Sequence, residues 1–233
     1  MARLILLRHG EIEMGRTRHL CGSSDEPLNA EGLRQIDRLA QRLTGAPVDA
    51  VYSSDLQRAW ATAEAVAAAH RIDVVACPEM REMDFGECEG LTFQQVEKRF
   101  PDVARMWLAR SPDLQYPGGE KVTDFAKRVE GFGMRLQQHK ENETVVLAAH
   151  LGSLRMLLCH LLGIRWQHWW QFQLDYASLS ALETRPAGLK AEDSSSMLIT
   201  LNDTSHLGIA SAFVPRFRPP SSQGGVPPGK AAI

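Results

Sequence analysis

Cysteine is scarce in this 233-residue chain: Cys21, Cys77, Cys88 and Cys159 are the full set, and none lies in a C-x-x-C pair. A chain this long needs no disulfides to hold a core, and the spacing does not suit zinc, so the thiols read as reduced and the protein as cytoplasmic. Long apolar runs are lacking too. Leu4-Ile5-Leu6-Leu7 ends at Arg8, too short for a signal peptide, and nothing approaches the ~18 apolar residues of a membrane span. No H-x-x-x-H or H-E-x-x-H pair occurs, so neither a metal centre nor a cofactor is expected. Neither sign of charge is in excess: 26 basic and 28 acidic residues leave a formal net charge of −2. Nucleic acid and membrane are therefore not expected partners, and any pull on an anion must come from a local cluster.

What is present suits one folded domain. Hydrophobic residues make up 44% and charged residues 23% of the chain, enough to bury a sizeable core. Residues 1–205 read as that domain and 206–233 as a C-terminal extension. The final RFRPPSSQGGVPPGKAAI is rich in Pro, Gly and Ser, so disorder is predicted beyond about residue 215.

Strand and helix patterns alternate. The apolar run at 3–7 reads as a buried strand, followed by a polar loop from Gly10 to Pro27. Asn29 caps a helix with Leu33, Ile36, Ala40 and Leu43 on one face. Val48–Tyr52 is a second strand, and Ser54 reads as the N-cap of a helix running to about His70. Ile72–Ala76 reads as a third strand, Arg81–Gly90 as an acidic loop, and Thr92 with Gln95 as a capping box. A long helix from Val122, the strand Thr144–Ala149 and a helix ending near Gly163 follow. Strands around 172–174, 178–183 and 197–201 complete the pattern. The alternation predicts an α/β fold of three layers, α/β/α, around a largely parallel sheet.

In open sheets of this kind ligands bind beyond the carboxyl ends of the strands. Arg8-His9-Gly10 follows the first strand, Ser53 to Arg58 the second, and His150-Leu151-Gly152 the TVVLAA strand. Two histidines and two arginines thus meet at one sheet edge. A neutral imidazole can attack phosphorus and carry a covalent intermediate. Arginine forks match the charge spread over phosphoryl oxygens. Helix N-termini after Ser54 and His150 are expected to aim N–H groups at the same anion, with Gly10 and Gly152 leaving room for backbone to approach it. His19, His70, His139, His160, His168 and His206 lack such company and read as structural or surface residues.

The strings LILLRHGE with GSSDEPLNAEG, VYSSDLQRAWATAEAV, REMDFGECEG and VVLAAHLGSLRMLL, in that order, resemble the signatures of the histidine phosphatase superfamily, the phosphoglycerate mutase-like proteins. WWQFQLDYASLSALE resembles the usual final strands. The resemblance implies His9 as nucleophile, Arg8, Arg58 and His150 around the phosphoryl oxygens, and Glu82 as proton donor and acceptor. The residues alone leave Glu82 as one carboxylate among Asp84, Glu87 and Glu89. Gly22, Ser23, Glu120 and Leu151 are further candidates for substrate contact, with a loop-stabilising role open for Glu120. The chain departs from the family pattern R-H-G-E-T at Ile12. Met14-Gly15 stands near where many members carry an Asn that helps hold the phosphate. The cluster Trp166, Trp169 and Trp170 suits core packing better than a substrate wall.

These features predict a metal-independent phosphomonoesterase acting on a small phosphorylated metabolite. The resemblance is strongest to alpha-ribazole phosphatase-type members of cobalamin biosynthesis, which points to alpha-ribazole 5'-phosphate. A phosphoglycerate mutase and a non-catalytic phospho-ligand-binding module are the alternatives, and a homodimer is left open.

Overall fold

The strand β1 (Ala2–Arg8) is the hub of the sheet in the computed structural model, which describes residues 2–136, 138–184 and 196–208. It pairs in parallel with β4 (Thr144–Ala149) and antiparallel with β5 (Leu179–Thr184). β4 pairs in parallel with β2 (Ala50–Ser53), and β2 with β3 (Val74–Ala76). β6 (Met197–Asp203) lies antiparallel on the far side of β5, giving the order β3-β2-β4-β1-β5-β6. The sheet is therefore largely parallel, with its two antiparallel pairings at one side.

Strand periodicity sorts the core into two layers. Leu4 and Leu6 of β1, with Val145, Leu147 and Ala149 of β4, join one cluster. Ile5 and Leu7, with Val146 and Ala148, join the other. Every residue of β4 is buried, at roughly 1.5–3 kcal/mol for each large aliphatic side chain. Helices α2 (Ala30–Leu43) and α3 (Gln57–His70) cover the second cluster. Helices α4 (Phe93–Arg99), α5 (Pro101–Leu108), α6 (Val122–Leu136) and α7 (Leu151–Leu161) cover the first. This is the three-layer α/β/α arrangement that the sequence pattern predicts.

Differences from the sequence reading are local. A four-residue helix, α1 (Glu13–Arg16), interrupts the loop after β1 and is too short to carry a periodic signal. Ser54 does not cap α3; the N-cap is Leu56, without a side-chain bond, and the first amide, Gln57 N–H, donates to Asp25 Oδ1 at 2.7 Å. Phe172–Leu174 joins no strand of the sheet. Its carbonyls are taken by side chains instead, Phe172 by Arg155 and Leu174 by Arg8. The turn Ser205–Leu207 still packs on α2, where Arg38 donates to the Leu207 carbonyl at 3.0 Å. The disorder predicted beyond residue 215 falls outside the described residues.

Candidate active site

His9 directly follows the last paired residue of β1. Its N–H donates to Ala149 O at 3.0 Å and its carbonyl accepts from Ala177 N–H at 3.0 Å, so the backbone is pinned between the end of β4 and the turn before β5. The ring is 4% exposed. Nδ1 lies 2.7 Å from the Gly10 carbonyl. A carbonyl only accepts, so Nδ1 carries the hydrogen and Nε2 keeps its lone pair.

His150 follows β4 and holds the opposite tautomer. Arg58 Nε donates to its Nδ1 at 3.2 Å. Arginine never accepts, so the ring hydrogen is on Nε2 and reaches Ser54 Oγ at 2.9 Å. The rings of His9 and His150 are 5.1 Å apart between centroids and tilted by 57°. Burial, then the charges of Arg58 and Arg8, hold the His9 pKa well below the usual imidazole value. Burial, then Arg58, His9 and Arg8, do the same for His150. Both rings are thus neutral near pH 7.

Arg58, on the first turn of α3, is wholly buried. Besides Nε, its NH1 donates to Ser24 O and its NH2 to Gly22 O, each at 2.7 Å. Three of five N–H groups are committed to protein, which fixes the fork and leaves two for a ligand. Arg8 donates from NH1 to Leu174 O at 2.7 Å and stacks on Tyr176, 3.9 Å from Cζ to the ring centroid. Its Nε is buried with no partner among the described residues. Two guanidiniums and two neutral imidazoles around one space can hold a tetrahedral dianion and present it to a lone pair.

Of the four carboxylates in the acidic loop, Glu82 is the one turned inward. It is 9% exposed, and Oε1 accepts Met83 N–H at 3.0 Å while Oε2 accepts Gly152 N–H at 2.9 Å. The second bond sets it on the N-terminal turn of α7. Each oxygen retains a second lone-pair site able to carry a proton. Asp84 and Glu89 serve the loop: Asp84 accepts from Ser23 Oγ and Gly86 N–H, and Glu89 from the amides of Gly22, Ser23 and Phe85. Glu87 is exposed.

The helix ends and glycines differ from expectation in what they face. The first amide of α3 is taken by Asp25 and that of Gly152 by Glu82. A Cβ on Gly152 would sit 2.2 Å from Glu82 Oε1, and one on Gly10 would sit 2.6 Å from the Gly32 carbonyl. Both glycines make room for protein. The amides of Gly22 and Ser23 donate to Glu89, and the Gly22 carbonyl accepts from Arg58. Leu151 is the half-buried first residue of α7, packed on the larger core cluster. Glu120 forms a two-pronged pair with Arg128, at 2.7 and 2.9 Å. Arg128 also donates to the carbonyls of Glu79, Arg81 and Glu82, at 2.7, 2.8 and 3.0 Å. All five of its N–H groups are used, and the segment bearing Glu82 is clamped to α6. Trp169 is buried, 4.5 Å from Trp170 and edge-on to Phe125 at 5.9 Å, and Trp166 packs on the same core.

Three side chains near this space were not among the site residues expected from sequence, where Ser54 read only as a helix cap. Ser54 orients His150, Tyr176 lies beneath Arg8, and Arg155 donates from Nε to Phe172 O at 2.6 Å. Burial, with Arg8 nearby, draws the Arg155 pKa down to about 10. Each reaches the site from a distant part of the chain or from within a run that reads as plain helix or strand.

Comparison with known proteins decides the family. Residues 4–195 match the model of the histidine phosphatase superfamily, branch 1. The chain belongs to the histidine phosphatase superfamily. Among its relatives is phosphoserine phosphatase 1 of Hydrogenobacter thermophilus, 32% identical over 208 residues, covering 89% of this chain and 95% of that protein. The adenosylcobalamin/alpha-ribazole phosphatase of Escherichia coli is 30% identical over 181 residues, covering 78% and 89%. The crystal structure of the alpha-ribazole phosphatase from Shigella flexneri superposes with a TM-score of 0.78 at 28% identity, covering 87% of this chain and 96% of that one. For this superfamily member, no described helix is long and apolar enough to cross a membrane.

Proposed function

We propose that the protein is a phosphomonoesterase working through phosphohistidine at His9 on a small phosphorylated metabolite. The observation that carries this reading is the pairing of a free Nε2 on a neutral, buried His9 with a second neutral imidazole 5.1 Å away, beside the buried Arg58 and the half-buried Arg8.

The chemistry proceeds in two displacements. His9 Nε2 attacks phosphorus, forming a P–N bond as the bond to the alcohol oxygen breaks. Glu82 gives its proton to that oxygen, so the alcohol leaves neutral. Water then attacks phosphorus and the P–N bond breaks, while the water's proton returns to Glu82. Arg8 and Arg58 face the equatorial oxygens, where charge is greatest in transfer, and His150 joins them when its Nε2–H turns from Ser54 Oγ to a phosphoryl oxygen. The charge match comes from side chains of the chain itself, so turnover should persist in a chelator.

The relatives' names offer two kinds of alcohol, an amino acid and an alpha-ribazole. Alpha-ribazole 5'-phosphate remains the first candidate from motif resemblance, with cobalamin synthesis as the setting and the cytoplasm as the compartment. The test is an assay of p-nitrophenyl phosphate in EDTA, followed by a panel of alpha-ribazole phosphate, phosphoserine and phosphoglycerates. Metal-free hydrolysis with a preferred panel member supports the reading. Absence of turnover between pH 5 and 8 would make the protein a binding module, and a requirement for 2,3-bisphosphoglycerate would make it a mutase.

A further inference from the structure

Tyr176 is half-buried beside His9 and Arg8, and its hydroxyl is left without a protein partner among the described residues. Its ring lies 3.9 Å from Arg8 Cζ, and its centroid is 5.5 Å from that of His9. Neighbours hold it there. Ala177 N–H donates to the His9 carbonyl, and Asp175 is tied to Asn202 through both its amide and its carboxylate, at 2.6 and 3.0 Å. Among the described residues the phenol makes no hydrogen bond. A phenol is both donor and acceptor, so this one is free to bond a ligand.

The hydroxyl occupies a defined place. An ideal Cβ on Gly15 would lie 1.8 Å from Tyr176 Oη and 2.9 Å from Cζ. Gly15 sits in α1 without a positive φ, so backbone conformation does not require glycine there. Space does: any side chain at position 15 would collide with the phenol. Three unspent groups therefore belong to neighbouring side chains, namely the lone pair of His9 Nε2, the unpartnered Arg8 Nε and the Tyr176 hydroxyl. A polyoxygen anion would satisfy the last two and meet the first.

We propose that Tyr176 donates its hydroxyl hydrogen to an oxygen of the phosphoryl group transferred to His9, from the space that a side chain at position 15 would otherwise fill. This deepens the phosphatase reading and rests on it. It also gives a physical account of Gly15, where the family pattern has an asparagine: the donor arrives from the strand side of the site instead of from the loop.

Tyr176→Phe removes one oxygen and keeps the ring on Arg8. The probes are orthovanadate and inorganic phosphate as inhibitors of p-nitrophenyl phosphate hydrolysis. A hydrogen bond to a charged oxygen predicts inhibition constants raised about tenfold or more for both, with kcat/KM reduced by a similar factor. A purely structural tyrosine would lower the melting temperature and leave the inhibition constants in place. A reciprocal pair checks the shared space: Gly15→Asn combined with Tyr176→Ala should bind orthovanadate more tightly than Tyr176→Ala alone. Inhibition constants for Tyr176→Phe within about twofold of wild type, or no gain in the double variant, would overturn the proposal. A wild type that neither hydrolyses p-nitrophenyl phosphate nor binds orthovanadate would overturn the phosphatase reading itself.

Discussion

The hydrogen on His9 Nδ1 and the hydrogen on His150 Nε2 are set by partners that cannot reverse roles, a carbonyl and a guanidinium. Neither ring waits on solvent for its tautomer, and burial followed by the charge of Arg58 keeps both unprotonated. A pH consequence follows at this scale. An ordinary histidine nucleophile would lose activity on protonation near its usual pKa of about 6.5. Here the acid limb of kcat/KM belongs well below that value, once the substrate's own second ionisation near 6 is divided out. A pH–rate profile with p-nitrophenyl phosphate checks it; a limb at the ordinary imidazole value would mean that His9 is not held neutral. The sequence brought His9, Arg8, Arg58 and His150 into view because Arg8 and His9 stand at the end of β1, His150 just after β4, and Arg58 in the first turn of the helix after β2. It did not reach Tyr176, which falls between the strands expected at 172–174 and 178–183, nor the grip of Arg8 on Leu174, which spans 166 positions.

Elements set the place of Glu82, the proposed acid. Helix α7 begins where β4 ends, so its first free amides fall beside His150, and Glu82 fills one of them at 2.9 Å. The clamp of Arg128 and Glu120 holds the loop on the other side. Gly152→Ala should displace the carboxylate, because the new Cβ would stand 2.2 Å from Glu82 Oε1. A misplacement of this order costs about a hundredfold in rate, and the loss should be larger for alkyl phosphates than for p-nitrophenyl phosphate, whose leaving group needs little protonation. Equal losses on the two would count against Glu82 as proton donor. Helix caps were where element-scale reading misled. Ser54 has the right chemistry for a cap, but its hydroxyl is drawn to His150 and the α3 amide to Asp25. Local propensity yielded to partners distant in sequence, as it does where a site recruits polar groups.

At the scale of the whole molecule, the sheet order brings the ends of β1, β2 and β4 side by side, and those three strands deliver the histidines and arginines. That layout was legible because buried parallel strands read as continuous apolar runs. Phe172–Leu174 also looked like a strand, yet its carbonyls face Arg155 and Arg8. The same burial that tunes the site carries a stability cost in acid. His9 and His150 resist protonation when folded and accept it when unfolded. The unfolded chain therefore binds more protons below about 6.5. Stability is full above that pH and falls as pH drops toward the lowered folded values, by about 1.4 kcal/mol per pH unit for each ring. Urea titrations at pH 7, 6 and 5 should show the decline, and a His9→Ala variant should show a shallower one; identical slopes would contradict it.

The most direct measurement is the fate of the phosphoryl group itself. Enzyme mixed with a radiolabelled phosphomonoester and quenched within milliseconds in alkaline denaturant, which spares phosphoramidates, should carry label on the peptide containing His9. The His9→Ala variant should carry none while still folding. Label retained by that variant, or mapped in wild type to a residue other than His9, would contradict the account.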